Sequence, residues 1–169
     1  MAVDFFFYGT LRDAGVRRIV FGPGESAGAA EPARLEGYRC APVERGRFPA
    51  IVAQQGAATP GVLVRRVSLD AAARVSYFED EGSYYSVDRK PLGVAGRRSA
   101  AAWVYIATAA LPVEAGTWRF EIWRQRWQTE FLKSAEAAMT RADPAELSRY
   151  RRVWLGRLSP APGPRSPCN

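Results

Sequence analysis

Glu79 follows the apolar Phe78 at the end of an otherwise apolar stretch, with Gly82, Tyr84 and Tyr85 just beyond it. A carboxylate half-buried among aromatics loses hydration, which disfavours its charged form and raises its pKa toward neutrality. Such a group can take and return a proton near pH 7, which is the work of a general acid/base. Asp80 and Glu81 complete a run of three acids. These two read as a solvated helix end. Adjacent positions on a helix point in different directions, so the run is not read as a metal site.

A second candidate is Tyr8-Gly9-Thr10-Leu11-Arg12. A strand that ends in glycine and feeds a helix start exposes backbone N–H groups without acceptors. Such a turn suits a carboxylate or a phosphate, and the glycine permits close approach. Taken alone, the same residues are more simply an ordinary strand-to-helix turn with Thr10 as a weak cap, three residues before Asp13.

The composition removes most alternatives. The 169 residues contain no histidine, which excludes imidazole catalysis, Ser-His-Asp and Cys-His sites, and His-ligated zinc. Two cysteines, Cys40 and Cys168, make neither a zinc ribbon nor a disulfide framework, and Cys40 reads as a small core residue. Carboxylates, hydroxyls, arginines and backbone amides remain. The net charge is +7, and 22 of the 24 basic residues are arginine, densest at Arg149, Arg151 and Arg152. Because the arginines are spread along the chain, we read them as codon composition rather than as a nucleic-acid surface. No stretch has the roughly 20 apolar residues of a membrane span, and Met1-Ala2-Val3-Asp4 lacks the basic start of a secretion signal. The expectation is a cytoplasmic protein, monomeric or homodimeric, without a membrane partner.

The elements that must position these residues follow from periodicity. Val3–Tyr8 is a buried strand. A helix beginning at Thr10 carries Val16, Ile19, Val20 and Phe21 inward, and residues 22–30 form a loop. Two strands cover Arg34–Val43 and Phe48–Gln54. Residues 56–61 (GAATPG) read as a turn, and Val62–Val67 as another strand. Ser68 caps a helix carrying Leu69, Ala72, Ala73, Val75 and Phe78. Strands follow at Tyr84–Leu92, with Pro91 marking an edge or strand end, and at Ser99–Ala107. Trp118, Ile122, Trp123, Trp127, Phe131 and Leu132 form one apolar stripe of a long helix. Asp143-Pro144-Ala145-Glu146 starts another helix, with Leu147, Tyr150, Val153, Trp154 and Leu155 behind it. The expected fold is α+β, a small mixed β-barrel or sheet with peripheral helices. The expected organisation is a domain over 1–140, a C-terminal helix over 141–157 on or beside it, and a Pro-rich tail over 158–169.

In this order the motifs resemble the gamma-glutamylcyclotransferase-like family, above all its plant avirulence-induced-like branch. The matching residues are Phe7-Tyr8-Gly9-Thr10-Leu11, Gly37-Tyr38, Pro49-Ala50-Ile51, Gly61-Val62-Leu63-Val64, and Phe78-Glu79 with Tyr84 five residues on. Ala102-Trp103-Val104-Tyr105 and the Trp-rich helix from Trp118 through Phe131 complete them, covering roughly residues 3–135. The resemblance implies a small mixed barrel. It implies cleavage of a γ-glutamyl amide by the substrate's own α-amine, releasing 5-oxoproline and a free amine, without metal, nucleotide or other cofactor. It puts the acid/base role on Glu79 and substrate binding on Tyr8, Gly9, Thr10 and Leu11. Tyr84 and Tyr105 are then candidate walls or hydroxyl donors. One departure stands out: the family usually has an arginine two residues after the tyrosine matched by Tyr84, where this chain has Ser86, with Arg89 the nearest substitute. A non-catalytic module binding a small carboxylate or an acidic partner on the same fold remains the alternative.

Overall fold

The aromatic run near the N-terminus is apolar on successive residues because both of its faces are covered. In the computed structural model, which describes residues 1–26, 28–94 and 100–159, this run is β1 (Ala2–Phe7). Its Val3, Phe5 and Phe7 pack under the helices, while Phe6 and the following Tyr8 turn into a second cluster. That second cluster also takes Leu35 and Cys40 from β2 (Ala30–Pro42) and Ile51 and Leu63 from β3 (Pro49–Ser68). Leu92 from β4 (Tyr85–Val94) and Val104 from β5 (Ala100–Ala107) complete it, so all five strands contribute and it is the barrel interior.

The strands close in the order β1-β3-β2-β4-β5. All neighbours are antiparallel except β1 and β5, which meet in parallel at the single pair Phe5 and Trp103. The mixed barrel expected from the sequence is therefore the fold observed. Closure demands close approach at Gly61, where a side-chain carbon would come within 2.5 Å of the Phe7 carbonyl oxygen. Pro91 pairs with Ala101 of β5, and β4 meets β2 only at Gly93 and Val94, so its missing N–H interrupts no central ladder.

Three local expectations are corrected. Residues 56–61 are not a turn between strands; β3 runs through them. The β2–β3 register passes from Glu36 opposite Ala58 to Tyr38 opposite Ala53, so β3 carries the surplus residues as a bulge, with Gly37 and Gly56 at positive φ. Thr59 is fully buried there and donates its hydroxyl to the Tyr38 carbonyl at 2.8 Å. The Gly/Pro signal was a bulge signal. Second, Thr10 does not cap a helix. Thr10–Arg12 is a 3₁₀ turn, and α1 (Ala14–Phe21) is capped by Asp13, which accepts from the Val16 N–H at 3.0 Å. Third, the tryptophan stripe is only partly core. In α3 (Phe120–Thr140) the buried face is Phe120, Trp123, Ala135 and Met139, while Ile122 and Trp127 are exposed.

The other two helices start where expected. Ser68 caps α2 (Leu69–Phe78), accepting from the Ala71 N–H at 3.1 Å, and Asp143 caps α4 (Pro144–Leu158), accepting from the Ala145 N–H at 2.9 Å. α4 packs against α2 and sends Trp154, fully buried, edge-on to Phe5 and Trp103, each 5.3 Å away. It thus covers the seam where the barrel closes. Cys40 lies in the barrel interior, where burial pushes its thiol up to about 12. Ser99, Cys168 and the tail from Pro160 lie outside the described residues. Among those described, no helix is long and apolar enough to cross a membrane.

Candidate active site

The end of α2 is built to hold one residue still. Glu79 is its C-cap, and its N–H bonds to the Val75 carbonyl at 2.9 Å. Asp80 then takes a left-handed conformation (φ 50°), its N–H reaching Tyr77, while the Glu81 N–H reaches back to Ser76 at 3.0 Å. This is a Schellman ending with aspartate where glycine is commoner. Beyond it, the Gly82 N–H bonds to the Tyr85 carbonyl at 2.8 Å, joining the turn to β4.

The three acids of this turn meet three environments. Asp80 is exposed. Glu81 pairs with Arg157 of α4 at 2.5 Å. Glu79 lines a cavity of about 280 Å³, and among the described residues no hydrogen bond or ion pair reaches its carboxyl. Burial pushes its pKa from 4.5 up to about 7. The sequence placed Glu79 among aromatics for this reason, and Phe78, Tyr84 and Tyr85 do line the same cavity. No three metal-ligating side chains gather among the described residues.

Another part of the wall is the turn after β1. Tyr8, Gly9, Thr10 and Leu11 all line the cavity. The first N–H groups of a short helical turn have no acceptor within it, and among the described residues those at Gly9, Thr10 and Leu11 make no backbone hydrogen bond outside it. The turn's later carbonyls are held by Arg17 of α1, whose Nη1 donates to Leu11 at 2.8 Å and to Arg12 at 2.7 Å. A side-chain carbon at Gly9 would come within 2.9 Å of the Pro49 ring. Glycine therefore lets β3 close onto the turn.

The tyrosines differ in what their hydroxyls do. Tyr8 donates to the Tyr105 carbonyl at 2.8 Å, and Tyr85 donates to the Pro49 carbonyl at 3.0 Å. Tyr105 sits 2.8 Å from the Ser76 hydroxyl. Burial raises all three phenols, most strongly disfavouring their charged forms, so they stay protonated. Tyr84 is 47% exposed and stands at the mouth. The structure thus brings all the site residues singled out from sequence, Tyr8, Gly9, Thr10, Leu11, Glu79, Tyr84 and Tyr105, to one cavity.

Other wall residues were not legible. α3 supplies Phe131, Ser134, Ala135 and Ala138, one face of its second half. Their spacing, with two alanines, was the available signal, but the larger tryptophans upstream dominated the pattern. Among the described residues, neither lysine nor arginine lines the cavity. Ser86 and Arg89 are exposed, on β4 residues that do not reach it, and Ser86 rests 3.4 Å from the Ile106 carbonyl. A larger cleft of about 500 Å³ shares Tyr8 as a wall and holds Arg12, Arg39 and Trp118, but the one carboxylate among its described residues, Glu121, is 3.7 Å from Arg12.

The profile of the family described as gamma-glutamyl cyclotransferase, AIG2-like, matches residues 5–120, from β1 into the start of α3. The chain belongs to this family. No curated protein matches it. The cyclotransferase-like barrel is similar to the solution structures of two Arabidopsis thaliana proteins, each at 20% identity. One aligns with TM-score 0.61 over 79% of both chains, and the other with TM-score 0.58 over 78% of this chain and 87% of that one. It is also similar to the crystal structure of an AIG2-like protein from Mus musculus, at 18% identity and TM-score 0.51, over 70% of this chain and 88% of the other. At these identities the likeness concerns the fold. The family match ends before α4, so this cyclotransferase-like chain carries Trp154 and Arg157 outside the matched residues.

Proposed function

We propose that the protein cleaves a γ-glutamyl amine or γ-glutamyl amino acid by intramolecular cyclisation, with Glu79 as general acid/base. The observation that carries this reading is a carboxyl without a partner among the described residues, its pKa raised to about 7, in one cavity of small-molecule size with the turn at Gly9–Leu11. Family membership supports the substrate class.

The steps follow from the chemistry. The substrate's α-ammonium is not nucleophilic, so the Glu79 carboxylate removes one proton. The freed amine attacks the γ-carbonyl carbon, forming the ring C–N bond and an oxyanion. Glu79, now protonated, delivers its proton to the amide nitrogen, and the C–N bond to the leaving amine breaks. The ring nitrogen's remaining surplus proton passes by the same carboxyl to the departing amine. The products are 5-oxoproline and an ammonium, so protons balance and no water is consumed. Holding the substrate folded makes the attack effectively unimolecular. The N–H groups at Gly9–Leu11 would hold the α-carboxylate, since no arginine or lysine among the described residues lines the cavity.

The test is release of 5-oxoproline from a panel of γ-glutamyl amines and amino acids, with Glu79→Gln as control. The reading expects product from the wild type and none above background from the variant, which should still bind substrate. Binding without turnover by the wild type would instead support a carboxylate-binding module.

A further inference from the structure

The cyclisation needs a hydrogen-bond donor for the γ-carbonyl oxygen as it gains charge. Three buried tyrosines line the cavity, and two have spent their only proton on backbone carbonyls: Tyr8 on Tyr105 and Tyr85 on Pro49. The third, Tyr105, has one hydroxyl partner, Ser76 Oγ at 2.8 Å, and distance alone leaves the donor open.

The neighbour of Ser76 decides the direction. The indole Nε1 of Trp154 stands 2.9 Å from Ser76 Oγ, and an indole N–H can only donate. Ser76 therefore accepts from Trp154. Its own proton must go elsewhere, because a fully buried hydroxyl that leaves its proton unused forfeits a hydrogen bond. A helical serine or threonine often donates to the carbonyl four residues earlier, as Ser134 and Thr140 do in α3. Ser76 makes no such bond, and among the described residues Tyr105 is the only acceptor it has. The reverse arrangement would give Ser76 two donors and strand its proton.

We propose that Trp154, acting through Ser76, fixes Tyr105 as the hydrogen-bond donor to the substrate's γ-carbonyl oxygen. The chain runs Trp154 N–H to Ser76, Ser76 O–H to Tyr105, and Tyr105 O–H into the cavity. Trp154 is then a positioning residue and Tyr105 a catalytic one. α4 further holds the turn that carries Glu79, since Tyr150 donates to the Glu81 carbonyl at 3.0 Å and Arg157 pairs with its carboxylate. A helix beyond the matched residues 5–120 thus orients both the donor and the acid/base turn.

This inference rests on the cyclisation reading, and its test separates the two. Tyr105→Phe and Ser76→Ala each remove only a hydroxyl oxygen, while Trp154→Phe removes the indole N–H together with part of the ring volume. Tyr105→Phe should lower kcat about a hundredfold. The other two should lower it about tenfold, with KM within about twofold, and the double variant Tyr105→Phe/Trp154→Phe should be no slower than Tyr105→Phe alone. Effects that multiply in the double variant, or a Trp154→Phe enzyme with wild-type kcat, would overturn the proposal. Melting temperatures identify any variant that fails to fold, in which case Ser76→Ala carries the test. The second readout is calorimetric affinity for 5-oxoproline, whose ring carbonyl descends from the γ-carbonyl. Wild-type binding that weakens equally in Tyr105→Phe and Trp154→Phe supports the chain even where turnover is absent. Binding unchanged in Trp154→Phe but weakened in Tyr105→Phe rejects it. A wild type that neither turns over substrate nor binds 5-oxoproline overturns both readings.

Discussion

Glu79 and Glu81 stand two residues apart on one turn, and their surroundings give them opposite properties. Glu81 faces α4, where the Arg157 guanidinium meets one of its oxygens and the Tyr150 hydroxyl meets its carbonyl. Glu79 lines the cavity, where no cation among the described residues approaches and burial lifts its pKa to about 7. The first is a fastener and the second a group able to exchange protons. The difference comes from the neighbours that the Schellman ending brings to each side, since residue type and local sequence are nearly the same.

The comparison breaks most severely at Glu79 itself. Glu79→Gln keeps the shape and removes the titration; activity should fall about a thousandfold with the melting temperature preserved, as read by 5-oxoproline release and calorimetry. The pH dependence of stability sharpens the contrast. An acid whose folded pKa lies above its unfolded value of 4.5 stabilises the fold below about pH 4.5 and loses that contribution as pH rises to about 7. Wild type should therefore be less stable than Glu79→Gln by about 3 kcal/mol above pH 7, the gap closing toward pH 4.5 in chemical denaturation. The activity profile should rise through pH 7 as Glu79 becomes the base.

Arg157→Met removes the cation from Glu81. The pair is only partly exposed, so the variant should lose about 2 kcal/mol, seen as a lower melting temperature. The smallest effect is expected at Ser86→Arg. This change restores the family's usual arginine on an exposed residue outside the cavity wall, and both stability and kcat/KM should stay within about 0.5 kcal/mol of wild type. A large gain in activity would mean that the side chain reaches the mouth near Tyr84.

Much of this arrangement was legible because it is local. Phe78-Glu79 at a helix end, Tyr8-Gly9-Thr10 at a strand end, and the caps at Ser68 and Asp143 are written in neighbouring residues. The errors have equally physical sources. Glycine and proline at 56–61 signal departure from a regular ladder, and a bulge departs from it as much as a turn does. Asp13 outcompeted Thr10 as a cap because it also receives Gln128 of α3 at 2.7 Å, a contact 115 residues away in sequence. The Trp154–Ser76–Tyr105 chain joins three elements across separations of 78 and 29 residues, and no periodicity reports it.

The seam at Phe5 and Trp103 has a consequence for biosynthesis. β1, which precedes the other four strands in the chain, is joined there to β5 and roofed by Trp154, which follows all five. Contacts of such long sequence separation form late and slowly. A chain still emerging from the ribosome can pair β1 with β3, but it has neither the roof over the closure nor the indole that orients Tyr105. The roof over the closure therefore forms only after synthesis has passed Trp154, so a nascent chain can hold most of its barrel before the seam is covered.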